Sequence, residues 1–133
     1  MAEAHTLPAY AEALGISVHE VEDSLPILTV DFSSDVEGRP GHYHGGAIAG
    51  LLENAAYAAL RAQLAADGRE AKLKPVNITV QYLSAGKPLT SFAKARITRM
   101  GRRNANISVE AWQTDRSKPI ASAIMNILMA PKT

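Results

Sequence analysis

Apolar side chains recur along this chain with two periods, one suited to strands and one to helices. Leu7 to Leu14 has the spacing of a short amphipathic helix, stopped by Gly15 in the usual C-terminal position. Ile16 to Val21 alternates and then slips, while Pro26 to Phe32 alternates through Leu28, Val30 and Phe32, so both read as strands. Ser33 to Tyr43 turns to Asp, Gly, Pro and Arg, a loop of about ten residues and long enough to suspect function. A helix is predicted from the Gly45–Gly46 pair to about Ala66, closed by Asp67–Gly68. Its apolar positions from Ala47 to Leu60 cover every direction around the axis, which predicts a buried helix. At about 1.5 Å per residue it spans roughly 30 Å.

After Gly68 the period is that of strands. Val76, Ile78, Val80 and Tyr82 alternate with Asn77, Thr79 and Gln81, and Ser84 to Pro88 supplies a turn. Leu89 to Met100, Asn104 to Thr114 and Pro119 to Met129 follow, separated by Gly101–Arg103 and Asp115–Lys118. Four consecutive strands joined by short turns predict an antiparallel meander. A single helix that is apolar all round needs a curved sheet around it, which is an α+β architecture.

Composition adds a constraint on the core. Of 133 residues 47% are apolar, but 23 of them are alanine, nine within residues 47–66. A chain of this length is one domain, residues 1–133, with about 1–15 as an N-terminal extension or short helix. Its thin set of large hydrophobes predicts that burial is completed against another copy. The net charge of +1 predicts no broad attraction to nucleic acid or to an anionic membrane. The absence of cysteine excludes a disulfide framework, a thiolate zinc site and a cysteine nucleophile. Met1–His5 lacks the basic and apolar regions of a signal peptide. The stretch Ala47–Leu60 contains Glu53 and Asn54 and falls short of the ~18 apolar residues of a spanning helix. A cytoplasmic, soluble protein is expected.

Candidate chemistry centres on Glu53, in the middle of the most apolar helix. Either it meets solvent on a thin polar stripe with Asn54 and Arg61, or it is a carboxylate in a partly apolar cleft, suited to act as base or nucleophile. At the helix start, Gly45 and Gly46 leave backbone N–H groups that a carbonyl oxygen can approach, or they simply serve loop geometry. Glu53 lies seven residues past Gly46, roughly 10 Å along the axis. If the two act on one carbonyl, the carboxylate must come from a second copy. His42 and His44 form a His-x-His pair without a third ligand at a typical spacing, so no metal is expected and His44 is expected to bond loop backbone. Arg99, Arg102 and Arg103 surround Gly101 at one turn, either a solvated hairpin or a small anion site for phosphate.

His44–Gly45–Gly46, followed by an Ala/Leu-rich helix with an acidic residue nine positions after the histidine, resembles the hotdog-fold acyl-CoA thioesterases of the PaaI-like group. Val76–Ser84, Met100–Arg103 and Ile120–Met129 resemble that family's later strands and turn, so the resemblance covers about Ile16 to Ala130. It implies a hotdog fold, one long central helix wrapped by a curved antiparallel sheet of five to six strands. It also implies a dimer or dimer of dimers, with active sites at the subunit interface and no metal or cofactor. The implied reaction is hydrolysis of an acyl-CoA to free acid and coenzyme A. By position, Glu53 would be the catalytic carboxylate and Gly46 would offer its N–H to the thioester oxygen. His44 and Gly45 would shape the loop, and Ser84 would help orient water. Arg99, Gly101, Arg102, Arg103 and Asn104 would lie where the coenzyme A nucleotide rests, and Tyr57 would border the acyl group. Gly38 stands where several relatives carry Asn or Gln, and His42 or Asn54 are candidates to replace that contact. A non-catalytic acyl-CoA binding protein and a hotdog dehydratase or hydratase are the alternatives on the same fold.

Overall fold

The structure, a computed structural model, describes residues 6–132. The stretch Met1–His5, expected to carry no signal peptide, lies outside the described residues. The elements in chain order are α1 (Ala9–Ala13), β1 (Ile16–Glu22), β2 (Leu25–Val30), α2 (Gly45–Ala66), β3 (Lys72–Tyr82), β4 (Ser91–Met100), β5 (Asn104–Trp112) and β6 (Ala121–Ala130). The six strands form one antiparallel sheet in the order β1-β2-β4-β5-β6-β3, with α2 packed across it. No helix among the described residues is long and apolar enough to cross a membrane.

The expected four-strand meander is corrected. β4, β5 and β6 are successive neighbours, but β3 pairs with β6 at the far edge and never touches β4. Alternation reports which face of a pleat is buried, not which strand lies beside it. The segment after β3 decides the placement. Leu83 and Ser84 donate their N–H groups to the Ile120 carbonyl, and Tyr43 donates its N–H to Gly86, so the chain passes the start of α2 before entering β4.

Small residues set the distance between layers. Ala55, Ala56, Ala58 and Ala59 of α2 are fully buried against a sheet face that carries Ala93, Ala95, Ala105, Ala111, Ala121 and Ala123. Leu51, Leu52, Leu60, Ile107, Met125 and Ile127 fill the rest. At Gly50 a Cβ would come within 2.9 Å of Leu14 and the Tyr10 hydroxyl, so glycine there lets the α1 segment cross close to α2.

The helix is not covered on every side by its own chain. Ala49, Glu53, Tyr57 and Arg61, at four-residue intervals, stay half-exposed, while the positions between them from 47 to 60 are buried. The helix rests mainly on β2, β4 and β5, and its side toward β3 is open. On the sheet, that open side ends in β3, an edge strand of 11 residues with Val76 57% exposed beside a bulge.

Replacing Ala59 by Leu should destabilise the fold by about 1–3 kcal/mol, because a close-packed interior has no room for three more carbons. The same change at exposed Ala65 should shift stability by less than about 0.5 kcal/mol. Urea denaturation of both variants distinguishes these outcomes.

Candidate active site

The loop ahead of α2 is held by backbone on both sides. Gly38 N–H donates to the His42 carbonyl, His44 N–H donates to the Val36 carbonyl at 2.7 Å, and Glu37 bridges Tyr43. The Tyr43 hydroxyl, buried and 2.6 Å from the Leu89 carbonyl, pins the loop to the strand entering the sheet. Burial pushes the Tyr43 phenol above its ordinary range, so it stays a donor. A Cβ at Gly38 would stand 3.0 Å from the His44 backbone, so the glycine is fixed by how closely the loop folds over His44.

His44 is the N-cap of α2. Its Nδ1 accepts the Gly46 N–H at 2.8 Å, while its own carbonyl takes the N–H groups of Ala47 and Ile48. The side chain bonds the first turn of α2 instead of the loop backbone expected from the sequence, and it occupies the N–H expected to face a substrate oxygen. The Gly45 N–H has no acceptor among the described residues. Because Nδ1 is the acceptor, the ring in this arrangement is the tautomer that carries its hydrogen on Nε2. Tyr82, at the end of β3, donates its hydroxyl to the Gly45 carbonyl at 2.8 Å.

A cavity of about 350 Å³ lies beside this helix start, lined among others by Arg39, His42, Gly45, Tyr82 and Ser84. The structure thus brings Ser84 beside the helix N-terminus, together with Tyr82 and Arg39. Tyr82 could not be singled out beforehand, since its alternation reads only as a strand position. The His42 ring stands 3.0 Å from the Pro40 carbonyl. Among the described residues no three His, Cys, Asp or Glu side chains converge.

Glu53 stands apart, half-exposed on the open stripe of α2 and about 10 Å along the axis from Gly46. Tyr57 follows one turn later. Its phenol is pushed up, first by burial and then by the negative charge of Glu53. Arg61 comes after another turn, its guanidinium pulled below its ordinary range by burial. Asn54 faces the other way, buried, with its amide donating to the Gly50 carbonyl at 2.8 Å. Arg99, Gly101, Arg102, Arg103 and Asn104 lie exposed at the β4–β5 turn. That turn sits near the Ala130 end of β6, whereas Tyr82 sits at the Ala121 end, a ten-residue strand of roughly 30 Å away. Within one chain, therefore, Gly45, Gly46, His44 and Ser84 meet, Glu53 and Tyr57 form a second group, and the arginine turn a third.

The family described as acyl-CoA thioesterase N-terminal domain matches residues 34–128, a span that includes all three groups. A protein from Chromobacterium violaceum of known crystal structure is 34% identical, covering 93% of this chain and 85% of that one with a TM-score of 0.72. Two further structures share the fold. A mutant of the phenylacetic acid degradation protein PaaI from Thermus thermophilus is 20% identical, covering 92% of this chain and 99% of that one, with a TM-score of 0.76. A mutant thioesterase enzyme from Staphylococcus aureus is 18% identical, covering 93% and 100%, with a TM-score of 0.77. No curated protein matches the sequence.

The His44 cap has a measurable consequence. His44→Ala should cost about 0.5–2 kcal/mol of stability by leaving the Gly46 N–H without its acceptor, and His44→Asn, a strong capping residue, should recover most of it. Thermal denaturation of the two variants reads the difference.

Proposed function

Because the chain belongs to the acyl-CoA thioesterase family, we propose that it hydrolyses an acyl-CoA with Glu53 of one copy acting on a thioester held at the α2 N-terminus of a second copy. The observation that carries this reading is the separation of the two groups. Glu53 and the Gly45–Gly46 N–H groups lie about 10 Å apart on one rigid helix, too far to meet at a single carbonyl. Tyr57 and Arg61, on the same stripe as Glu53, share a cleft with Leu73 of the edge strand β3. An edge of 11 residues with Val76, Tyr82 and Leu83 more than half exposed favours pairing with another strand. Two copies joined along β3 would set their helix stripes face to face and carry each Glu53 toward the other helix start.

The chemistry follows from that arrangement. Glu53 attacks the carbonyl carbon or takes the proton from the water that does, and negative charge passes to the thioester oxygen. N–H groups at the helix start, aided by its partial positive charge, stabilise that oxyanion. The Gly45 N–H is ready for this, and the Gly46 N–H becomes available when a substrate oxygen replaces His44 Nδ1. Collapse breaks the C–S bond, and coenzyme A leaves as a thiolate that takes up a proton. Where water attacked, the free acid is left directly. Where Glu53 attacked, an acyl-glutamyl anhydride is left, which a water then hydrolyses to the free acid and Glu53. Ser84, in the cavity beside Gly45, is placed to hold the attacking water.

Thiol release across short, long and aromatic acyl-CoA esters should show turnover that Glu53→Ala reduces by about 10²- to 10⁴-fold. A loss smaller than about tenfold, roughly 1.4 kcal/mol of barrier, removes Glu53 from the catalytic role. The engaged Gly46 N–H favours one second reading, a binding protein that never turns over. Coenzyme A binding with no thiol released from any ester would establish it.

Assembly is tested separately. Val76→Asp, which puts a charge on the β3 edge, should shift sedimentation toward the monomer and lower activity in proportion. A wild-type monomer with full activity would contradict the shared site.

A further inference from the structure

Arg61 presents a chemical demand that its own chain does not meet. Its Nε and Nη2 atoms are buried with no hydrogen-bond partner among the described residues. These two nitrogens share one edge of the guanidinium, and their N–H bonds point the same way, the geometry that grips two oxygens of one carboxylate or phosphate. No ion pair within 4.0 Å reaches Arg61 among the described residues. A buried donor left without an acceptor is costly, and a buried charge more so.

The surroundings specify the sign of the missing group. Arg61 lines a cleft of about 970 Å³ together with Tyr57, Arg69, Glu70, Leu73 and Lys132. Among the described residues, three cations and one carboxylate line this cleft. Arg61 lies on the same stripe as Glu53, eight residues and about 12 Å further along the axis. At the other end of the cleft Arg69 donates to the Arg102 carbonyl of the β4–β5 turn. The cleft therefore begins at Tyr57, one turn past the proposed catalytic carboxylate, and reaches Arg69, whose side chain is bonded to the arginine turn.

We infer that Arg61 is a substrate-binding residue whose paired N–H groups, closed to solvent in the resting fold, turn into this cleft to take an oxyanion carried by the substrate. The inference rests on Glu53 marking the reacting end. Two parts of an acyl-CoA carry such an oxyanion: the phosphates of the carrier, and a carboxylate at the far end of the acyl group. Both meet the same side-on fork.

Arg61→Met keeps the length and apolar stem of the side chain and removes the fork. Three esters separate the sources: a plain acyl-CoA, the same acyl group on pantetheine, and a CoA ester whose acyl chain ends in a carboxylate. If carrier phosphate is read, the variant loses at least tenfold more kcat/KM on the plain CoA ester than on its pantetheine counterpart. If the acyl carboxylate is read, the extra tenfold loss falls on the carboxylate-tipped ester relative to the plain one. Equal losses on all three overturn the inference. So does a variant that melts lower or dissociates into monomers, since Arg61 would then serve the fold or a subunit contact. Should the wild type hydrolyse no ester, the catalytic reading fails but Arg61 remains testable by calorimetry. Coenzyme A or a dicarboxylic acid binding at least tenfold more weakly to Arg61→Met supports the inference, and unchanged binding of both overturns it.

Discussion

Seven residues of α-helix separate Gly46 from Glu53, and the rise of about 10 Å cannot be shortened by any side-chain rotation. Much of the molecule is arranged around that fixed interval. A helix N-terminus is a good place to stabilise an oxyanion, and a carboxylate on an otherwise apolar helix is a good base or nucleophile. A straight helix cannot bring both to one atom. In the proposed mechanism, the open side of α2 and the long bare edge of β3 would answer that difficulty together, by leaving room for another copy.

Alanine makes the open side compatible with stability. Where α2 meets β4 and β5, small residues on both layers let helix and sheet approach closely, and close contact gathers dispersion energy that few large side chains would otherwise supply. The buried positions of α2 are satisfied by one side of the sheet alone. The helix can then keep Ala49, Glu53, Tyr57 and Arg61 on a stripe that its own chain leaves half uncovered. A helix clothed on all sides by large hydrophobes would have no such stripe to offer.

The boundaries of α2 were legible in the sequence because they depend on local pattern, whereas β3 begins at Lys72, four residues before the alternation from Val76 shows it. The Gly45–Gly46 pair, the alanine-rich run and Asp67–Gly68 delimit α2 almost as observed. The neighbour of β3 was not legible, since alternation in Val76–Tyr82 records burial of a face and says nothing of the partner strand. Asn54 read as polar and available, yet one residue of helix turns it about 100° from Glu53 into the core, where its amide bonds the Gly50 carbonyl. The bond from Gly46 to His44 Nδ1 was also hidden. Sequence places a histidine ahead of two glycines but does not say which ring nitrogen faces which N–H.

Arg61 shows most clearly why part of the site escapes a sequence reading. Along the sequence it belongs to a polar stripe and looks like an ordinary solvated cation. What distinguishes it is the absence, among the described residues, of any acceptor beside two buried nitrogens, a property of the whole environment rather than of the residue. His44 and Arg61 then represent two ways of storing a polar group before substrate arrives. The Gly46 N–H is capped by a neighbour that a substrate oxygen can displace, so its cost in the resting state is small. The Arg61 fork is left without a partner among the described residues, a cost that the proposed oxyanion would relieve. The first arrangement favours stability, and the second favours binding. Both sit on α2.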